Sequence, residues 1–194
     1  AAADAEVAGI PALLARTGYT GEDGFELYVP NERAAELWAA ILGAGEPLGL
    51  VPAGLAARDS LRLEAGMPLY GNELGLDTTP FEAKLGPVVS LKKEEDFVGR
   101  SALAAAKEAG PSRVLVGLRG IGRRAGRSGY AVHADGREIG VITSGQPSPS
   151  LGYPIALAFV EPAFSEPGTA VEVDLRGRLE PFEVVRLPFY RRPA

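Results

Sequence analysis

Hydrophobic and polar positions divide the chain into two regimes that meet near Pro111. Before it, strand and helix periods alternate. Phe25-Glu26-Leu27-Tyr28-Val29 has period two and predicts a strand that sets Glu26 on the face opposite Phe25 and Leu27. Ala34, Leu37, Trp38 and Ile41 recur at helical spacing over 32–42, with Asn31 as N-cap and Gly43 as the stop. A second helix is predicted from Pro52 to Glu64, with proline near its first turn and Gly66 past its end. Thr78-Thr79-Pro80-Phe81-Glu82 reads as the start of a short third helix, and Gly99 to Ala109 as a fourth.

From Pro111 onward the period shortens. Strands are predicted over 114–118, 129–133, 138–143, 155–160, 170–175 and 182–187. Turn signals separate them at Asp135-Gly136, Gly145 to Pro149, Glu166-Pro167-Gly168 and Gly177. Strands this short and regular suggest a small antiparallel barrel or sandwich. The expected class is α+β, with a mixed α/β region over 1–110 and a β domain over 111–194.

Three segments carry candidate chemistry. In Arg16-Thr17-Gly18-Tyr19-Thr20-Gly21-Glu22-Asp23-Gly24-Phe25-Glu26, glycines three apart bracket two acids and lead into a strand. Glycine admits positive φ and close backbone approach, so the loop could hold a planar ligand and offer it the Glu26 carboxylate. An ordinary Gly-rich hairpin with solvated acids has the same pattern. A P-loop is excluded, because no Gly-Lys-Ser/Thr follows, and a dinucleotide fingerprint is excluded, because a strand follows the glycines rather than a helix. On the second helix, Arg58 and Arg62 stand four apart on one face, with Asp59 and Glu64 as possible partners. That face is either a surface with local ion pairs or a guanidinium clamp for a carboxylate. Thr143-Ser144-Gly145-Gln146-Pro147-Ser148-Pro149-Ser150 is too rich in Pro and Ser for a strand and reads as a shaped surface loop. The tail Leu187-Pro188-Phe189-Tyr190-Arg191-Arg192 is either a frayed basic terminus or a strand end closing over a ligand.

Composition narrows these readings. With 46% hydrophobic and 23% charged residues, the 194-residue chain can bury a core. A net charge of −5 argues against broad nucleic-acid binding. Apolar runs are short, so no transmembrane helix is expected, and Ala1-Ala2-Ala3-Asp4 lacks the basic start of a signal peptide; a cytoplasmic chain is the expectation. No cysteine is present, which excludes disulfides, thiolate catalysis and Cys-ligated zinc. The single histidine, His133, reads as an exposed strand-end imidazole.

The loop R-T-G-Y-T-G-E-D-G-F-E, the helix A-A-R-D-S-L-R-L-E-A-G-M-P-L-Y-G-N-E-L and T-S-G-Q-P-S-P-S-L resemble, in order and through essentially the whole chain, the glycine cleavage T-protein family of tetrahydrofolate-dependent aminomethyltransferases. The resemblance implies transfer of a one-carbon unit from the aminomethyl-lipoyl arm of H-protein to tetrahydrofolate, with release of ammonia. It implies that Glu26 hydrogen-bonds the pterin, that Arg58 and Tyr19 bind the folate, and that Tyr190 and Arg191 approach it. It also makes residues 1–110 part of folate-binding domains and 111–194 a small antiparallel β-barrel domain.

The departure is one of length. Family members are about twice as long, and this chain resembles only their C-terminal half. The family's catalytic aspartate lies in the other half, so no catalytic residue is assigned here; Asp23 and Asp59 already belong to matched motifs. The expected partners are lipoylated H-protein and the N-terminal half, without which 1–110 is incomplete and the chain alone inactive; no metal, nucleic acid or membrane partner is expected. The chain is then a fragment of a longer protein or one piece of a split one. Two other readings stay open: a folate-binding module without transfer chemistry, and the C-terminal part of a folate-linked amine dehydrogenase. The iron–sulfur branch of folate-binding relatives typically carries a cysteine motif, which this chain lacks.

Overall fold

Ala8 and Gly9 both take positive φ, 52° and 73°, the geometry of a tight two-residue hairpin. Across this turn β1 (Ala2–Val7) pairs antiparallel with β2 (Ile10–Ala15). The sequence pattern did not predict this hairpin, because alanines blur its alternation and Ala-Gly is a weak turn signal. The strand β3 (Glu26–Tyr28), shorter than expected, joins β2 with Leu13 opposite Tyr28 and Ala15 opposite Glu26. The resulting sheet, in a computed structural model that describes residues 1–192, has the order β1-β2-β3. Ile10 and Ala12 are buried on one face, while Glu26 shares the other with Leu13 and Tyr28.

The helix α1 (Ala34–Gly45) differs from expectation at both ends. Asn31 opens a 3-10 turn, Asn31–Arg33, and makes no side-chain cap. Gly43 lies inside the helix, and the left-handed residue is Gly49 (φ 84°), after a second 3-10 turn at Glu46–Leu48. The helix α2 (Leu55–Glu64) starts three residues later than Pro52. Its end is the predicted one: Gly66 (φ 69°) donates to the Leu63 carbonyl and Met67 to that of Arg62, a Schellman cap.

The chain forms two units, Ala1–Leu61 with Arg192, and Arg62–Arg191. In the second, Thr79 and Glu82 make the reciprocal bonds of a capping box: the Thr79 N–H and hydroxyl both donate to Glu82 Oε2, at 2.8 and 3.1 Å, and the Glu82 N–H returns to Thr79 Oγ1. The expected third helix nevertheless stops after one turn, where Lys84 takes φ 57° and Gly86-Pro87 enter a 3-10 turn. The expected fourth helix is α3 (Arg100–Ala109), with left-handed Gly99 just outside it.

Six strands follow: β4 (Val114–Gly120), β5 (Ala131–Ala134), β6 (Arg137–Pro147), β7 (Pro154–Val160), β8 (Ala170–Asp174) and β9 (Leu179–Val185). They close an antiparallel barrel in the order β4-β7-β6-β5-β8-β9, which makes the fold α+β as expected. Inward residues such as Val116, Leu118, Ala158 and Phe182 fill the barrel. All of β7 is buried: Ala156, Ala158 and Val160 point in, and Ile155, Leu157 and Phe159 join an outer cluster with Leu63 and Leu115. One expectation fails here. Thr143 to Pro147 are strand, because a bulge between Ile142 and Ser144 lets β6 bend and run on, with Pro147 at its very end, opposite Pro154.

Candidate functional site

Within the first unit, the Gly-rich loop serves two side chains. Its Thr17 hydroxyl donates to Glu26 Oε2, and Tyr28 Oη lies 3.4 Å from the same oxygen. Its Tyr19 ring carries the Arg58 guanidinium at 4.8 Å from the centroid, a cation–π contact. Of its three glycines, Gly21 alone takes a positive φ, 76°. Asp23 is held by Arg192 at 3.0 Å and Arg16 at 3.4 Å. Arg192, by hydrogen bond and charge, and Arg16 keep its carboxyl below the ordinary aspartate value.

The face that presents Glu26 also carries Asp4 and Glu6 of β1, opposite Leu13 and Pro11, and its apolar part is open, with Leu13 43% and Tyr28 55% exposed. A hollow of about 480 Å³ runs over the sheet beside it, lined by Leu13, Tyr28, Asp4, Pro11 and Pro30 among others. An ionised carboxylate there can accept two parallel N–H bonds, and an exposed ring can stack a flat ligand. Sequence reasoning missed Tyr28; the signal was its period-two spacing from Glu26.

In the second unit, the end of α2 is a different environment from Arg58. Arg62, Leu63 and Glu64 are buried in succession. Arg62 Nη1 donates to Glu73 Oε2 and to the Met67 carbonyl, each at 3.2 Å, and Nη2 to Ser144 Oγ at 2.9 Å. Asn72 also donates to Ser144, and the Leu69 N–H to Glu73. Glu64 was expected to partner arginine, but it accepts from the Ser148 and Ser150 hydroxyls and the Ser150 N–H. The Pro-Ser motif therefore serves as a clasp for two helix side chains, Arg62 and Glu64. Spacing alone could not reveal it, since the partners lie 82 to 86 residues apart.

The tail is not frayed up to Tyr190. Leu187 and Phe189 pack on the outer cluster, and the Tyr190 N–H donates to the Glu64 carbonyl at 2.9 Å. Arg191 is exposed. Of the sequence-predicted residues, the loop gathers Tyr19, Arg58 and, through Thr17, Glu26 within the first unit; Tyr190 and Arg191 belong to the second. His133 lies half-buried near the end of β5, with Glu138 and Glu172 as ladder neighbours. Among the described residues, no His, Asp and Glu cluster is placed to hold a metal ion, and no helix is long and apolar enough to cross a membrane.

Comparison with known proteins gives a concordant result. Residues 1–93 match the family model described as GCVT N-terminal domain, and residues 113–191 match the Glycine cleavage T-protein C-terminal barrel domain. The aminomethyltransferase of Streptomyces coelicolor is 64% identical over 190 residues, covering 96% of this chain and 51% of that protein. That of Moorella thermoacetica is 55% identical, covering 98% and 52%. A crystal structure of the glycine cleavage system aminomethyltransferase T from Bartonella henselae superposes with a TM-score of 0.86 at 41% identity, over 92% of this chain and 50% of that one. The chain thus spans about half the length of the curated relatives it matches. With both models aligned in order on a fold that ends in the closed barrel, the chain belongs to the glycine cleavage T-protein family.

Proposed function

We propose that this chain supplies the folate-binding part of a cytoplasmic aminomethyltransferase of the glycine cleavage system. In that reading residues 1–110 belong to the folate-binding domains and 111–194 form the barrel domain. The observation that carries it is Glu26, a carboxylate on an open, aromatic sheet face, with Arg58 stacked on Tyr19 from the same loop. Glu26 reads the paired N–H donors of the pterin, and Tyr19 and Arg58 hold the folate; Tyr190 and Arg191 approach it from the C-terminal tail. The aminomethyl carbon exchanges its C–S bond to the lipoyl arm of H-protein and its C–N bond to the amine for two C–N bonds to tetrahydrofolate nitrogens, and the two folate N–H protons leave on the lipoyl thiol and on ammonia. The catalytic acid comes from the other half of the protein, and this chain alone is inactive.

The surface supports an absent neighbour. Among the described residues, twelve of the fifteen exposed large apolar side chains, from Leu13 to Val88, fall within residues 1–93. β1 and β3 are both open sheet edges. Large exposed apolar surface marks an interaction face, and the half of the relatives that this chain does not span is its natural cover.

The test is calorimetric titration of tetrahydrofolate into the chain reconstituted with the N-terminal half of a relative, alongside assays of methylene transfer from aminomethyl-lipoyl H-protein. Glu26→Ala should weaken folate affinity by at least about tenfold, the loss expected for hydrogen bonds to a charged group. Loss of activity with folate affinity unchanged would overturn the role given to Glu26.

A further inference from the structure

At one end of the barrel, the β4–β5 loop meets the β8–β9 hairpin and brings arginines together in a chain of net charge −5. Arg123, Arg124 and Arg127 come from the loop, Arg176 and Arg178 from the hairpin. The hairpin turns through Arg176 (φ 63°) and Gly177 (φ 86°), and Asp174 accepts the Gly177 N–H. Between loop and hairpin lies a hollow of about 340 Å³, lined by Arg124, Ala125, Arg127, Tyr130, Leu175 and Arg176.

The donors around this hollow are mostly unspent. An arginine carries five N–H groups in a rigid fork. Arg127 donates one to the Gly145 carbonyl at 3.2 Å, and Arg176 donates its Nε–H to Tyr130 Oη at 3.1 Å. Having accepted that bond, the Tyr130 hydroxyl keeps its own proton to give. Of the nearby acids, Glu180 sits 3.0 Å from Arg178, outside the hollow, and a longer 3.7 Å from Arg124 at its rim, while Asp174 caps the turn. Among the described residues, no carboxylate lines the hollow.

We propose that this hollow binds a phosphate-class anion. A single carboxylate is satisfied by one fork, whereas three forks and a phenol around one concavity suit a tetrahedral group that accepts from several directions. The volume is that of a small-ligand site rather than a flat protein face. The source is either a free phosphorylated molecule or a lipid headgroup.

Inorganic pyrophosphate titrated calorimetrically into the 194-residue chain at low ionic strength tests this. Binding should saturate and weaken by at least about tenfold in Arg127→Lys and in Arg176→Lys, which keep the charge but lose the fork. Arg178→Lys, outside the hollow, should bind as the unaltered chain does, with all thermal midpoints unchanged. Absence of saturable binding, or equal affinity in all four proteins, overturns the site, the second result marking a diffuse positive field. Vesicles containing phosphatidic acid separate the sources. Cosedimentation displaced by pyrophosphate assigns a headgroup; no cosedimentation assigns a free phosphate; cosedimentation without pyrophosphate binding overturns the site.

Discussion

The barrel and the N-terminal sheet are both antiparallel, yet only the barrel covers itself. Its first and last strands pair, so no edge is left, and β7 is buried on both faces. The sheet of the first unit has three strands and two open edges, and α1 buries Leu37 while leaving Trp38 56% exposed. Closure removes strand edges, whereas an open sheet needs a partner to cover them. Substitutions should therefore be costly in the barrel unit and better tolerated in the first.

The sharpest break in that contrast is at α2. Arg62→Ala should destabilise the chain by about 3–5 kcal/mol, because it strands the Glu73 carboxylate, fully buried, without its cation. Arg58→Ala, four residues away and exposed, should leave the denaturant midpoint nearly unchanged. Equal effects would show that the buried pair is not what holds the helix end.

Ser148→Ala comes next, at about 1–3 kcal/mol in urea denaturation, since it removes one of the Glu64 carboxylate's donors in a buried setting. A smaller effect concerns Glu82. Burial raises its pKa, but the Thr79 N–H and hydroxyl and the Arg113 guanidinium outweigh that and hold it below the ordinary value. Its stabilisation is therefore complete above the unfolded value of about 4.3 and is lost as pH falls through the lower folded value. Between pH 5 and 3, taken as rough bounds of that window, Glu82→Gln should flatten the loss of stability seen by circular dichroism. An unchanged slope would remove Glu82 from the acid response. Least of all, Trp38→Gln should shift stability of the chain alone by no more than about 0.5 kcal/mol. A loss of several kcal/mol there would mean that the first unit already covers its own surface.

The same contrast explains what was legible in the sequence. All six barrel strands announced themselves, because alternation and turn residues such as Asp135-Gly136 act locally. The β1–β2 hairpin did not, since alanines carry little contrast between its faces. The Thr79–Glu82 box promised a helix that Lys84 and Gly86-Pro87 cut short. The pattern drew attention to Glu26, Arg58 and Tyr19, but the partners of Arg62 and Glu64 were invisible, because both are made across the fold. Serines that looked like a loop motif turned out to read a helix.

β7 has a further consequence, for the chain before it folds. Pro154-Ile155-Ala156-Leu157-Ala158-Phe159-Val160 carries no charge and only one proline, at its first position. Released from the barrel, such a segment is a ready template for strand-to-strand association between molecules. Pro154 and Glu161 at its borders act as gatekeepers against that fate. Refolding yield should accordingly fall as protein concentration rises, with β7 as the segment that nucleates the aggregate.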